Sequence, residues 1–180
     1  NWGVRITDLH QGIVWGTETK ETKLSKKLTN RFDYDGIYGT VLNRFIIQAA
    51  NKNYLTVYGT GGQTRAFINI NDTAECIKLA IHSFNFKRNK VRIFNQVSEV
   101  KSIIELGQLI SKLYGVKIKK INNPRKELSK NELEVSNQGL KSLGFNPILL
   151  SKNLINEINF MAKNLSKNFD KKKILNSPKW

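Results

Sequence analysis

The stretch Leu55-Thr-Val-Tyr-Gly-Thr-Gly-Gly-Gln-Thr-Arg65-Ala-Phe-Ile-Asn-Ile-Asn-Asp72 constrains the fold more than any other part of the chain. It reads as a short strand, a glycine-rich loop, a second short strand and an aspartate opening a helix. Tyr58 and Gly59 end the first apolar run, and the Gly61-Gly62 pair allows positive φ, so the backbone can wrap closely around something. Arg65 is the one charge in the loop. Its planar fork suits a phosphate or a carboxylate. The plainer alternative is a solvated hairpin whose arginine pairs with a nearby carboxylate.

Before this stretch, Val4 to Leu9 alternates apolar and polar residues as a strand does, and Gln11-Gly12 turns the chain before Ile13-Val-Trp15-Gly16. Ligands of open α/β sheets sit at the carboxyl ends of strands, which makes His10 and Gln11 candidates. A turn histidine bonded to backbone is the bland reading of His10. Residues 17–27 are polar and read as a surface loop. Thr40 is placed to cap a helix whose apolar face is Val41, Leu42, Phe45, Ile46 and Ala49. The free N–H groups of that helix start suit an anion; with those groups merely capped, Arg44 would be solvated.

After it, Asp72-Thr-Ala-Glu75 and Ser102-Ile-Ile-Glu105 both read as capping boxes. Lys90 to Asn95 and Val116 to Ile121 read as strands, and Asn123-Pro124-Arg125-Lys126-Glu127 as a proline turn that presents an arginine and a carboxylate. Gly144-Phe-Asn-Pro147 stops a helix, Ser151 caps a last amphipathic helix to about Leu165, and the charged remainder is expected to fray. Strands and helices alternate, so the fold class is α/β.

Composition excludes more than it assigns. A 180-residue chain with 39% hydrophobic content can build one real core, and no apolar run reaches the ~18 residues of a membrane span. Cys76 is the only cysteine, which excludes an internal disulfide and suits a reducing compartment, and two histidines beside it make no zinc-like cluster. The net charge of +16 raises a basic nucleic-acid- or lipid-binding module as an alternative function. The lysines are scattered, however, without the interleaved aromatics of a base-stacking surface. The usual phosphate-binding glycine fingerprint after a first strand and any Tyr-x-x-x-Lys spacing are both missing.

Longer motifs carry a resemblance. Leu55-Thr-Val-Tyr-Gly, the loop ending in Arg65, Phe-Ile-Asn-Ile-x-Asp72, Pro-Arg125 and Leu143-Gly-Phe-x-Pro147 occur in an order that resembles the C-terminal half of the extended short-chain dehydrogenase/reductases acting on nucleotide sugars. Within that superfamily, Thr7-Asp-Leu-His-Gln-Gly12, Asn30-Arg-Phe-Asp-Tyr-Asp35, Gly39-Thr-Val-Leu-Asn-Arg-Phe45, Gly59-Thr-Gly-Gly-Gln-Thr-Arg65 and Phe94-Asn-Gln96 resemble the UDP-sulfoquinovose synthases of sulfolipid biosynthesis.

The resemblance implies a Rossmann domain holding NAD in the N-terminal half and a UDP-sugar site in the C-terminal half. It makes residues 1–16 the end of the Rossmann domain, 17–165 mainly the UDP-sugar-binding domain, with about 41–51 and 72–95 packing back on the Rossmann sheet, and 166–180 a charged tail. Leu55, Thr56, Val57 and Tyr58 would line the uracil, Thr40 and Asn43 meet the diphosphate, and Arg65 and Arg125 clamp phosphates. Glu127 would accept from the ribose, Gln63 would stand at the substrate loop, and Gln11 near the nicotinamide. The implied substrates are UDP-glucose and sulfite, with oxidation at sugar C4 by NAD, loss of water across C5 and C6, sulfite addition and hydride return. His10 stands where an asparagine is expected in the plant-like motif.

No catalytic residue and no metal ligand is assigned, because the family's NAD loop and its Thr, Tyr and Lys group lie in the half preceding Asn1. The chain is expected to be a fragment, inactive alone, of an enzyme that is a homodimer when complete, in the cytoplasm or, in a photosynthetic eukaryote, the plastid stroma. Another NAD-dependent UDP-sugar epimerase or dehydratase is the alternative within the enzyme class. The isolated segment is also expected to expose a sheet edge and apolar surface.

Overall fold

In a computed structural model, which describes residues 3–83, 90–124, 128–164 and 169–174, strands that are far apart in sequence pair in parallel. Strand β1 (Ile6–Gln11) pairs with β5 (Val91–Gln96), β2 (Ile13–Trp15) with β4 (Thr64–Asn69), and β3 (Leu55–Tyr58) with β7 (Ile118–Ile121). Strand β6 (Glu99–Ser102) runs antiparallel on β4, with Arg65 opposite Lys101. The α/β class read from the alternating pattern is the class observed.

Gly12 does not turn the chain in a hairpin. Its N–H donates to the Gln96 carbonyl at 3.1 Å, one step beyond the β1–β5 ladder, and β2 then joins β4. A Cβ on Gly12 would sit 2.9 Å from the Ala66 carbonyl oxygen, so glycine is required where the two ladders meet.

Helix starts follow the caps in the sequence in two cases. Thr40 caps α2 (Val41–Ala50) by accepting from the Asn43 N–H, and Ser102 with Glu105 forms a full capping box on α4 (Ile103–Tyr114). Elsewhere tertiary structure overrides the expectation. The polar segment 17–27 contains helix α1 (Lys20–Leu24), with a capping box between Thr19 and Thr22, and a 3-10 turn at Lys26–Leu28. Helix α3 (Ile70–His82) begins two residues before Asp72, and its cap is Asn69, whose side chain accepts from the Asn71 N–H. Asp72 is left 4% exposed, accepting from Ser98 Oγ at 2.8 Å and the Ile148 N–H at 2.7 Å. Helix α5 (Gln138–Lys141) is short, and α6 (Leu150–Asn164) starts before Ser151. The Leu150 N–H donates to Glu99 Oε1 at 2.5 Å, so a carboxylate on β6 serves this helix end.

The main core joins Phe45 and Ile46 of α2, Leu106 and Ile110 of α4, Leu154 and Ile158 of α6, and Leu55 and Val57 of β3. A smaller cluster joins Ile68, Cys76, Phe94, Leu140 and Phe145. Residues 169–174 are docked on the rest of the chain: Phe169 lies against Tyr34 and Ile174 of α7 (Lys171–Ile174) is buried. The exposed face of β1 and β5 carries Ile6, Val91 and Ile93, each about half exposed or more.

Candidate functional site

The start of α2, the ends of β3 and β4 and the segment around Asn123 meet in one cleft. Gly39, Thr40 and Val41 form its rim, and Asp35 builds that rim by accepting from the N–H groups of Ile37 at 2.8 Å, Tyr38 at 2.6 Å and Gly39 at 3.3 Å. These donors, Tyr38 foremost, hold the Asp35 carboxyl below the usual carboxylate range. A Cβ on Gly39 would run into the Tyr34–Asp35 peptide, so the turn needs glycine. Tyr58, Gln63, Arg65 and Asn123 complete the polar lining, with Ile13 and Ile103 as apolar wall. The cleft encloses about 150 Å³, below the ~300–1,000 Å³ of complete small-molecule sites, so it accommodates part of a large ligand.

Arg44 also lines the cleft, and it is not solvated: it is 6% exposed. Helix α2 is buried almost all round, and Arg44 and Gln48, one turn apart, fasten it to the backbone of β3. Arg44 Nη2 donates to the Thr56 carbonyl at 3.3 Å, while Gln48 Oε1 accepts the Thr56 N–H at 3.1 Å and Gln48 Nε2 donates to the Thr56 hydroxyl at 2.8 Å. The guanidinium carbon lies 4.2 Å from the centroid of the Tyr58 ring. The spacing Arg44-x-x-x-Gln48 on an otherwise apolar helix was the available signal.

The glycine loop wraps protein. Thr60 Oγ1 donates to Ser129 O at 2.8 Å, Gln63 Nε2 to Leu128 O at 3.0 Å, and the Thr64 N–H to Asn131 Oδ1 at 2.9 Å. A Cβ on Gly62 would stand 2.7 Å from Ser129 O, which explains the glycine there. Residues 128–131 thus form a strap over the loop. Arg125 and Glu127 lie outside the described residues, but the chain on either side of them is placed: Asn123 lines the cleft and Leu128 is bonded to Gln63.

The structure therefore brings Thr40, Tyr58, Gln63 and Arg65 together. Asn43 is beside the cleft, with its Nδ2 donating to Asp33 O at 3.0 Å. Leu55 and Val57 point into the core and are fully buried, and Thr56 is committed to Gln48. Gln11 is exposed at the last position of β1, away from the lining. His10 precedes it and its Nε2 is 3.1 Å from Asp8 Oδ2, a side-chain partner instead of the backbone one expected. Among the described residues there is no group of three His, Cys, Asp or Glu able to hold a metal, and no helix long and apolar enough to cross a membrane. Burial pushes the Cys76 thiol up to about 12, as an inert core residue.

Comparison with known proteins places this arrangement. Residues 16–95 match the NAD dependent epimerase/dehydratase family. The chain is 41% identical to the chloroplastic UDP-sulfoquinovose synthase of Spinacia oleracea over 99% of its own length and 38% of that protein. It is 35% identical to the UDP-sulfoquinovose synthase of Sulfolobus acidocaldarius over 91% of this chain and 42% of that one. The chain thus spans about two-fifths of the length of these curated relatives. Among solved structures, UDP-glucuronic acid 4-epimerase from Bacillus cereus, in complex with UDP-glucuronic acid and NAD, superposes with a TM-score of 0.65 at 19% identity, over 92% of this chain and 47% of that one, a likeness of fold. With the strand–loop–strand–helix unit at its centre and relatives of this similarity along nearly its whole length, the chain belongs to the NAD-dependent epimerase/dehydratase superfamily.

Proposed function

We propose that this chain supplies the UDP-sugar-binding part of a UDP-sulfoquinovose synthase, an NAD-dependent enzyme that makes UDP-sulfoquinovose from UDP-glucose and sulfite. The observation that carries the reading is the 41% identity to such a synthase over 99% of the chain. The cleft supports it: a helix N-terminus and Arg65 meet in a space sized for part of a nucleotide sugar. In this reading Arg65 binds a phosphate, Thr40 and Asn43 shape the helix start that faces it, and Tyr58 flanks the uracil. Leu55, Thr56 and Val57 act by holding Tyr58 in place, and Gln63 ties the cleft to the strap. Arg125 clamps the second phosphate and Glu127 meets the ribose; the bracketing of their segment by Asn123 and Leu128 favours this.

The glycine loop is not a cradle for NAD, since it is filled by the strap 128–131. NAD, which supplies hydride transfer, is held in this reading by the other part of the complete protein, with Gln11 of this chain at its border. Residues 1–16 would then complete the NAD-binding sheet and residues 17–165 mainly carry the sugar site. The exposed apolar face at Ile6, Val91 and Ile93 favours this, because parallel sheets bury both faces. A homodimer, in the cytoplasm or plastid stroma, completes the proposal.

The test is to incubate the intact protein with UDP-glucose, NAD and sulfite and to identify the sugar nucleotide formed. A sulfonated product without epimer is expected. UDP-galactose, a deoxy-keto sugar unaffected by sulfite, or no turnover would overturn the reading.

A further inference from the structure

Helices α2 and α4 both start at the cleft, at Thr40 and Ile103, and both end at a second recess, roughly 15–18 Å away along their axes. The recess encloses about 480 Å³, within the ~300–1,000 Å³ of small-molecule sites, and Lys52, Tyr54, Tyr114, Gly115 and Lys117 line it. These residues are scattered in sequence, and the β3–β7 pairing gathers them. Each helix is followed by a residue with left-handed backbone, Gly115 (φ 69) after α4 but Lys52 (φ 55) after α2. Glycine is the less strained choice there, so the lysine sets a charge at the recess against the backbone preference. Tyr54 is 47% exposed, and Lys119 Nζ lies 5.1 Å from its ring centroid. The Tyr114 hydroxyl donates to Asn159 Oδ1 at 2.9 Å, which holds the second ring in place. Among the described residues, no acidic side chain lines the recess, and none of Lys52, Lys117 and Lys119 forms an ion pair. The two helix ends oppose these lysines with about −0.5 charge each, and the Lys52 and Gly115 N–H groups engage part of their carbonyls. Three ammonium groups outweigh that, so the recess attracts anions.

We propose that this recess is a second ligand site, for a small molecule that joins a chain of phosphates to a planar ring, by chemical class a nucleoside triphosphate. Lys52, Lys117 and Lys119 meet the phosphates, and the Tyr54 ring supports the base. Ammonium groups on flexible stems follow a phosphate chain without demanding one bidentate geometry, and stacking on a tyrosine tolerates any base. The recess lies at the opposite ends of α2 and α4 from the cleft, so a filled cleft leaves it open. The proposal stands apart from the nucleotide-sugar reading.

Isothermal titration of ATP and of inorganic tripolyphosphate into the intact protein, with UDP-glucose and NAD in excess to fill the other sites, tests it. Wild type is compared with the double variant K52Q/K117Q and with Y54L. The double variant should weaken both ligands by about tenfold or more, because two charge-assisted contacts are lost. Y54L should weaken ATP by about tenfold and leave tripolyphosphate within about twofold, because only the ring is lost. If K52Q/K117Q does not fold, K119Q decides by the same comparison, with a loss of about threefold or more expected for both ligands. A wild type that binds no ATP, or an ATP affinity that the lysine variants leave unchanged, overturns the proposal. Equal ATP binding by Y54L and wild type overturns it in favour of a site for inorganic anions alone. Tighter binding of a single-stranded RNA of about ten nucleotides than of ATP, with the same dependence on the lysines, overturns it in favour of a nucleic-acid surface.

Discussion

The hydroxyl of Ser98 donates to the buried carboxylate of Asp72 across 2.8 Å, and the same oxygen receives the Ile148 N–H at 2.7 Å. One side chain at the start of α3 thereby joins the β5–β6 connection to the segment that leads into α6. Burial raises the Asp72 carboxyl above its ordinary range, against the pull of these two donors. Asp72→Ala leaves both donors without an acceptor and is expected to lower the unfolding free energy by about 3 kcal/mol in urea titration. Asp72→Asn keeps an oxygen in place and should cost less than half of that. An alanine variant as stable as the wild type would remove this latch from the account.

Glu157 is 4% exposed on α6 and accepts from the Thr17 N–H at 2.9 Å and the Thr17 hydroxyl at 2.6 Å. Burial pushes its carboxyl up, with the Glu18 charge adding to the effect and the Thr17 donors opposing it. The folded chain therefore holds this proton more tightly than the unfolded chain. The contribution to stability is complete below the ordinary glutamate value of ~4.3 and is lost as pH rises through the raised folded value. Glu157→Gln cannot ionise and keeps an acceptor for Thr17. Its thermal midpoint, relative to wild type, is expected to climb between pH 4 and pH 8; a difference that stays flat across that range would contradict the assignment.

Asn131 holds the strap through the Thr64 N–H at 2.9 Å, while its carbonyl accepts the Thr64 hydroxyl at 3.1 Å. Asn131→Ala removes the first bond and should cost about 1–2 kcal/mol. Amide exchange in residues 59–64 should quicken, and UDP should bind more weakly because Gln63 and Arg65 sit on that loop. Exchange at the wild-type rate would show that the strap does not depend on this side chain.

Cys76 is fully buried in α3, and its thiol is pushed up to about 12 chiefly by burial, with the Asp72 charge second. The thiolate is the reactive form, so iodoacetamide at pH 8 should leave the folded chain unlabelled and modify it fully in denaturant. Rapid labelling of the folded chain would report opening of α3.

Local chemistry was legible where it is settled within a few residues. The Thr40 cap, the Ser102–Glu105 capping box and the strand–loop–strand–helix order around Arg65 appear in the structure much as the sequence implies. The same local logic failed at Asp72 and Ser151, because Asp72 is claimed by a distant donor, Ser98, and the start of α6 by a distant acceptor, Glu99. The glycines of the 59–62 loop announced a close approach, but the approaching group is the backbone at Ser129, about seventy residues on.

The sequence by itself determined the α/β class, the main helix and strand positions and the candidacy of Thr40 and Arg65, since periodicity, caps and loop composition are properties of neighbouring residues, while Tyr58 and Gln63 became candidates through the family resemblance. Only the tertiary structure decided that Leu55 and Val57 face the core, that Arg44 is buried against Tyr58, and that Gln11 stands apart from the cleft. Burial and side-chain orientation depend on which distant strands pair. The β3–β7 ladder and the Arg44 and Gln48 bonds to Thr56 join segments whose proximity no local pattern encodes.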